Sequence, residues 1–211
     1  MNIDPHELDT ETIYKILKGV VVPRPIGWVS SIAPDGVANL APFSFFTVVS
    51  RNPPIVSLSI LAKGEQALKD TLQNVRSTGE FVVNVVSVDL AGQMDATSVA
   101  HPPEVDEFDV AGVGKTPGTA VNVPRVSGTP VSTECKVERI IPVGDVGDHV
   151  VFGKIVRLHI REDVWLERGR IDVSAIRPVG RLAVDYCLAN STFKTPVPES
   201  ILRNVRAAEA S

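Results

Sequence analysis

Apolar and polar residues change their period several times along this chain, and each change marks an element. In "DTETIYKILKGVV", Ile13, Ile16 and Leu17 recur at helical spacing behind Asp9 or Thr10 as N-cap, which predicts a helix over about 10–18 that stops at Gly19. After the "PRP" of residues 23–25, "IGWVSSIA" and "VANLAPFSFFTVV" flank Pro34-Asp35-Gly36. Asp-Gly between two such runs predicts a hairpin of two antiparallel strands. "PPIVSLSIL" reads as a third strand, Ile55 to Leu61, bounded by prolines that have no place in a central ladder. Leu68, Leu72 and Val75 then fall at i, i+4 and i+7, an amphipathic helix closed by Gly79. "EFVVNVV" is a β-branched strand, "DLAGQMDATS" a short polar helix, and about 100–130 a long irregular excursion rich in proline and glycine. Excursions of that length often carry function or form interfaces.

The period falls to two in "PVSTECKVERIIPV", where Val131, Thr133, Cys135 and Val137 alternate with Ser132, Glu134, Lys136 and Glu138. In "HVVFGKIVRLHI", Val150, Phe152, Val156, Leu158 and Ile160 face one way, and His149, Gly153, Arg157 and His159 the other. Short strands in antiparallel order, with helices inserted rather than interleaved, favour a mainly β barrel over a doubly wound sheet. A single domain over 1–211, with a C-terminal tail from about 190, is the expected organisation.

Composition narrows the function classes. Hydrophobic residues make up 44% and charged residues 22%, ordinary globular usage. The net charge of −4 comes with scattered Lys and Arg, so the basic footprint of a nucleic-acid binder is missing. No run approaches the ~18 apolar residues of a membrane span, and the acidic N-terminus lacks a signal-like core, so the cytoplasm is the expected location. Cys135 and Cys187 stand alone, which points to two buried free thiols and to no zinc site. "AGVGKTPG" imitates the end of a phosphate loop, but Asp109 stands where the motif needs glycine and Pro117 interrupts the helix it requires. The same stretch misses GxGxxG by one residue, with no βαβ unit around it. His6, His101 and His159 read as surface or hydrogen-bonded histidines; His149, after Gly147-Asp148 at a strand mouth, either presents its ring to a cleft or is structural. Ser30, Ser31, Asn39 and Ser44 are unexplained by the hairpin, being small polar groups set among apolar ones.

Residues 23–59, "PRPIGWVSSIAPDGVANLAPFSFFTVVSRNPPIVSLS", together with "KDTLQNVRSTGEFVVNVVS", "PPEVDEF", "ECKVERII", "GDHVVFGKIVRLHI" and "RPVGRLAVDY", resemble in order the flavin reductase-like family of FMN-binding split barrels, which includes flavoredoxins. The resemblance implies a Greek-key antiparallel split barrel, a homodimer, FMN in a cleft near the subunit interface, and either reduction of flavin by NADH or NADPH or electron carriage on bound FMN. A reductase of this kind would serve a partner oxygenase or other acceptor; a carrier would be reduced by a partner protein. It further implies that Ser30, Ser31, Asn39, Leu40, Ala41, Pro42 and Ser44 line the ring, with Pro42 ending the ladder so that backbone groups are free for the flavin. Lys63 and Thr71 would serve the phosphate end, with Asp70 orienting Lys63 or a ribityl hydroxyl rather than contacting the phosphate, although Asp70 and Thr71 on the solvent side of a helix is the plain alternative. His149, in "GDH", would place the reductant or stabilise reduced flavin. Arg24 is assigned to the phosphate, to the dimer interface or to the surface, Tyr186 to the lip of the cleft, and Trp28 to the core. The chain departs from the family pattern at Ala183 and Val184, where glycines are usual. Ser30 and Ser31 are neighbours on one strand, so in a regular strand only one of them can face a given ligand.

Overall fold

The computed structural model describes residues 2–62 and 68–189. Lys63 and the tail from 190 lie outside the described residues. Seven antiparallel strands form the main sheet: β1 (Gly27–Ile32), β2 (Ala38–Phe43), β3 (Phe46–Arg51), β4 (Pro54–Ile60), β5 (Glu80–Val85), β6 (Val131–Val143) and β7 (Asp148–Ile160). Their order is β2-β1-β5-β6-β7-β4-β3. The two edge strands are consecutive in sequence and joined only by Ser44 and Phe45. Two residues span ~7 Å at most. The sheet must therefore roll until its edges meet at that link, yet no ladder joins them. This is a split barrel. The expected single strand through "VANLAPFSFFTVV" is thus two, broken at Ser44-Phe45 where the chain crosses the seam.

All seven strands point apolar side chains inward. Val29, Phe43, Leu58, Phe81, Cys135 and Val151 are buried in one cluster, and Phe46 packs against it. The hairpin β1–β2 turns where Asp35-Gly36 predicts: Ala33 N–H reaches Val37 O at 2.8 Å and Gly36 takes φ +95. Helix α1 (Thr10–Val20) starts on Asp9, whose Oδ1 accepts Thr12 N–H at 2.9 Å, and it buries none of its residues. Helix α2 (Asp70–Thr78) lays Leu72 and Val75 on the interior cluster and ends at Gly79 in the left-handed region, φ 71.

The excursion covers the outer face of β1 and β2. Helices α3 (Ala91–Ala96) and α4 (Glu107–Ala111) enclose a second cluster of Trp28, Ala38, Leu40, Met94 and Phe108. Trp28 is core, as expected, and its Nε1–H donates to Thr97 Oγ1 at 2.9 Å. Two expectations change here. On β7 the buried face begins with His149, Val151 and Gly153, while Leu158 is exposed; Glu138 of β6 is an extra residue opposite Phe152 and Gly153, and Val156 of β7 is one between Ile155 and Arg157. Cys135 is fully buried, and burial followed by the Glu134 charge pushes its thiol up to about 12, but Cys187 is only half-buried.

Candidate functional site

Among the described residues no strand neighbours the outer edge of β2, and a cleft opens along it. β1 and β2 pair without interruption from Gly27↔Phe43 to Ile32↔Ala38, so side chains alternate regularly. Trp28 and Ser30 face the excursion; Val29 and Ser31 face the interior side. Ser30 donates to the Pro124 carbonyl at 2.6 Å and is fully buried beneath the loop, away from the other predicted residues. Ser31 stays with them: it donates to Asn39 Oδ1 and accepts from Asn74 Nδ2, both at 3.2 Å.

Asn39 is the junction of this region. Its Oδ1 accepts the Thr71 hydroxyl at 2.6 Å, and its Nδ2 donates to Glu107 Oε1 at 3.0 Å. The other oxygen of Glu107 takes the Leu40 N–H at 3.0 Å. The Leu40 amide therefore points away from the sheet, and the two-residue alternation puts the nitrogen of Pro42 on the same outer edge, where a missing N–H costs no ladder bond. Pro42 does not end the pairing, contrary to expectation; it remains opposite Trp28. Thr71 is 2% exposed, so the solvent-side alternative fails for it. Burial raises the Glu107 pKa, opposed by the hydrogen bonds from Leu40 and Asn39.

A cavity of about 140 Å3 lies against this junction, lined on one side by Asn39, Ala41, Pro42 and Phe43 and on another by Lys69, Asp70 and Thr71 at the start of α2. Residues 97–101 and Glu107 complete it. Pro42 and Ser98 also line a second cavity of about 210 Å3, so the two adjoin. Ser44 belongs to the second, where its Oγ accepts from Arg24 Nε at 3.3 Å. Tyr186 lines the second cavity too, its hydroxyl donating to Asp95 at 2.7 Å.

His149 is not brought to either cavity. Arg76 on α2 donates to its Nε2 at 2.6 Å, so the ring carries its proton on Nδ1, which donates to Gly147 O at 2.9 Å. Arg76 lies about 7.5 Å further along the helix axis than Thr71. The neighbouring Asp148 accepts the Ala62 N–H at 2.9 Å, so Gly147-Asp148-His149 ties down both the end of β4 and α2.

Sequence reasoning missed two cleft residues. His101 lines the first cavity, and its Nε2 is the buried side-chain polar atom without a partner among the described residues. Glu107 is the buried carboxylate that holds Asn39 and Leu40. Both come from the excursion, where no periodicity marks an inward side; the signal available was the acid in "PPEVDEF", a polar group in a segment that must cover apolar strands.

An edge strand with outward backbone groups, a helix start whose first N–H groups lack intrahelical acceptors, a lysine, hydroxyls and apolar walls together suit a ligand with a phosphate and a flat polar-edged ring. The unpaired His101 nitrogen adds a group that a ligand would satisfy. Fold and cleft thus define a split-barrel protein with a polar-rimmed cleft along an edge strand. Residues 19–171 match the flavin reductase like domain, and the chain belongs to that family. An uncharacterized protein of Aquifex aeolicus is 43% identical over 180 residues, covering 85% of this chain and 91% of its own. The crystal structure of nitrilotriacetate monooxygenase component B from Bacillus cereus superposes with TM-score 0.89 at 32% identity, over 92% of this chain and 98% of that one. The 2-nitrobenzoate 2-nitroreductase NbaA of Pseudomonas fluorescens gives 0.85 at 32% identity, over 94% and 96%. Flavoredoxin of Desulfovibrio vulgaris shares the fold, TM-score 0.75 at 18% identity, over 95% and 100%.

Proposed function

We propose that the protein is an FMN-dependent oxidoreductase, reduced by NADH or NADPH, with FMN along the free edge of β2 and its phosphate at the start of α2. The observation that carries this reading is the cavity between Ala41, Pro42, Lys69 and Thr71, with the unpaired His101 Nε2 on its wall. Bound there, the flavin would supply the hydride-accepting ring, and the chain would supply position and electrostatics. Thr71, fixed by Asn39, and Lys69 hold the phosphate end; Ala41 and Pro42 form the wall under the ring. Glu107 orients Asn39 from the wall of the cavity. Asp148 and His149 act as positioning residues that hold Ala62 after β4 and Arg76 on α2, in place of a direct role for His149 at the reductant.

A monooxygenase component and a nitroreductase, both 32% identical to this chain, support an enzyme over a passive carrier. The flavoredoxin likeness, at 18% identity, carries the fold alone. Reduced flavin passed to a partner oxygenase or another acceptor is the corresponding output. A homodimer completes the reading: α1 and β3 present Leu17, Val20, Val21, Val48 and Val49 to solvent, beside Arg24 and Ser44 of the cleft.

The test is the visible spectrum of the purified protein with FMN, followed by anaerobic addition of NADH and then NADPH. Bleaching of the flavin band is expected with at least one nucleotide. His101→Leu is expected to weaken FMN binding about five- to tenfold, on the order of 1 kcal/mol for one lost hydrogen bond. A protein that takes up no FMN overturns the reading, and one that binds FMN but stays oxidised with both nucleotides turns it into a carrier.

A further inference from the structure

The second cavity carries a charge imbalance that the flavin reading does not use. Lys18, Arg24 and Arg181 line it, and among the described residues the one carboxylate on its wall is Asp95, which accepts the Tyr186 hydroxyl and forms no ion pair with any of the three. Arg24 is 5% exposed, an unusual place for a cation without a carboxylate. Its guanidinium is held by neutral acceptors: Nη1 donates to the carbonyls of Lys18 and Val21, each at 2.7 Å, Nη2 to Leu182 O at 2.8 Å, and Nε to Ser44 Oγ. Four of its five N–H groups are used, and one on Nη2 has no acceptor among the described residues. Burial, then the like charge of Arg181, lowers the Arg24 pKa. Arg181 is fixed by stacking on the Tyr186 ring, 4.4 Å from its centroid, and Lys18 lies 4.2 Å from the centroid of Tyr14. Aromatic faces hold both cations in place without neutralising them.

Three cations immobilised around one cavity, with one acid turned to a tyrosine, form a preorganised anion site. We propose that the cavity between Lys18, Arg24 and Arg181 receives an anionic group, a carboxylate or a phosphate, on the molecule that exchanges electrons with the flavin. The inference rests on the flavin reading of the adjoining cleft, which reaches this cavity through Pro42 and Ser98. The anion has two sources: the carboxylate of an aromatic acid as acceptor, or the phosphates of a nicotinamide nucleotide as donor. Either would set the electron-exchanging ring beside Pro42, with the charge as its anchor.

The experiment titrates the FMN-loaded protein by calorimetry with sodium benzoate, with sodium pyrophosphate and with benzamide as the uncharged control. Lys18→Gln with Arg181→Gln is the variant; Arg24 is left intact because its carbonyl bonds join the end of α1 to Leu182. One of the two anions is expected to bind saturably and benzamide not, and the double variant is expected to weaken that anion about tenfold while FMN affinity moves less than about twofold. Benzoate binding assigns an aromatic acid, pyrophosphate binding a nucleotide. The proposal is overturned if neither anion binds, if the variant binds both unchanged, or if it weakens FMN as much as the anion, since the charges would then serve the flavin's own phosphate. Anion binding by a protein that takes up no FMN supports the subsite and removes the flavin reading alone.

Discussion

At the scale of single residues, the polar side chains under the excursion do more for the fold than their pattern suggests. Glu134 lies on the strand face that alternation assigns to solvent, yet it is fully buried. Loop 119–121 wraps it: Thr119 N–H at 2.8 Å, Ala120 N–H at 2.6 Å and Val121 N–H at 3.0 Å all donate to its carboxylate, as does His159 Nε2 at 2.5 Å. Burial alone would raise its pKa, but the bonds from Thr119, His159 and Ala120 outweigh it and bring it from 4.5 to about 2. Because the folded value is the lower one, the stabilisation is complete above the unfolded value and is lost as the pH falls through the folded one; the difference corresponds to about 3 kcal/mol. Glu134→Gln is therefore expected to cost about 2–4 kcal/mol at pH 7 in urea unfolding, with the gap to wild type narrowing by roughly half at pH 3. A gap independent of pH would show that the charge is not what the loop holds. Gly153 gives a second case. A Cβ there would lie 2.2 Å from Cζ of the buried Phe81, so Gly153→Ala must displace a ring in the barrel interior. The expected loss is about 1–3 kcal/mol by thermal unfolding, and Gly153→Ala with Phe81→Leu should recover part of it.

At the scale of elements, the cleft exists because β2 is an edge strand and α4 grips it. Glu107 on α4, Asn39 on β2 and Thr71 on α2 form a chain of side-chain bonds across three elements. Asn39→Ala breaks it at the centre and leaves Glu107 buried with one donor fewer. The expectation is about 2–3 kcal/mol lost in stability and weaker FMN binding by fluorescence titration. Asn39→Asp discriminates further: it sets a second carboxylate against Glu107, so its loss is expected to be larger at pH 7 than at pH 5, where a shared proton relieves the repulsion. Equal losses at the two pH values would argue against a direct Asn39–Glu107 contact. Periodicity and turn chemistry made much of this framework readable, from the Asp35-Gly36 hairpin to the Leu72–Val75 face and the Gly79 stop. They failed where tertiary contacts override local pattern. On β7 the interior takes His149, Val151 and Gly153 rather than the more apolar set of Val150 and Phe152, and the extra residue Val156 opposite β6 then breaks the alternation before Leu158. Ser132 and Glu134 read as exposed because nothing local says that the excursion folds over them. Of the predicted site residues, Ser31, Asn39, Ala41, Pro42, Asp70 and Thr71 gather at the first cavity or its supporting bonds, while Ser30 and His149 serve packing elsewhere, and His101 was invisible without the fold.

At the scale of the whole molecule, the described residues leave an apolar surface that a lone barrel would not keep. Helix α1 buries nothing, and Val20 is 68% exposed. Strand β3 is an open edge with Val48 also 68% exposed, and no charge or proline lies within it before Arg51. Open edges of that kind are blunted or covered in natural proteins. The groove between them, lined by Leu17, Val21, Phe45 and Phe46, shares Arg24 and Ser44 with the second cavity, so whatever covers the groove also walls the cleft. A second copy of the chain across this face, as proposed above, would account for both. Val48→Glu places a charge in the middle of it without touching the barrel interior. The expected outcome is a shift from twice the chain mass to the chain mass in light scattering, with an unchanged far-ultraviolet spectrum and weaker retention of FMN. If Val48→Glu keeps the mass of wild type, or if wild type itself runs at the chain mass, this face is not the interface. If the mass halves and FMN is held as before, the cleft is complete within one chain, and the shared wall at Arg24 and Ser44 closes without help from a partner.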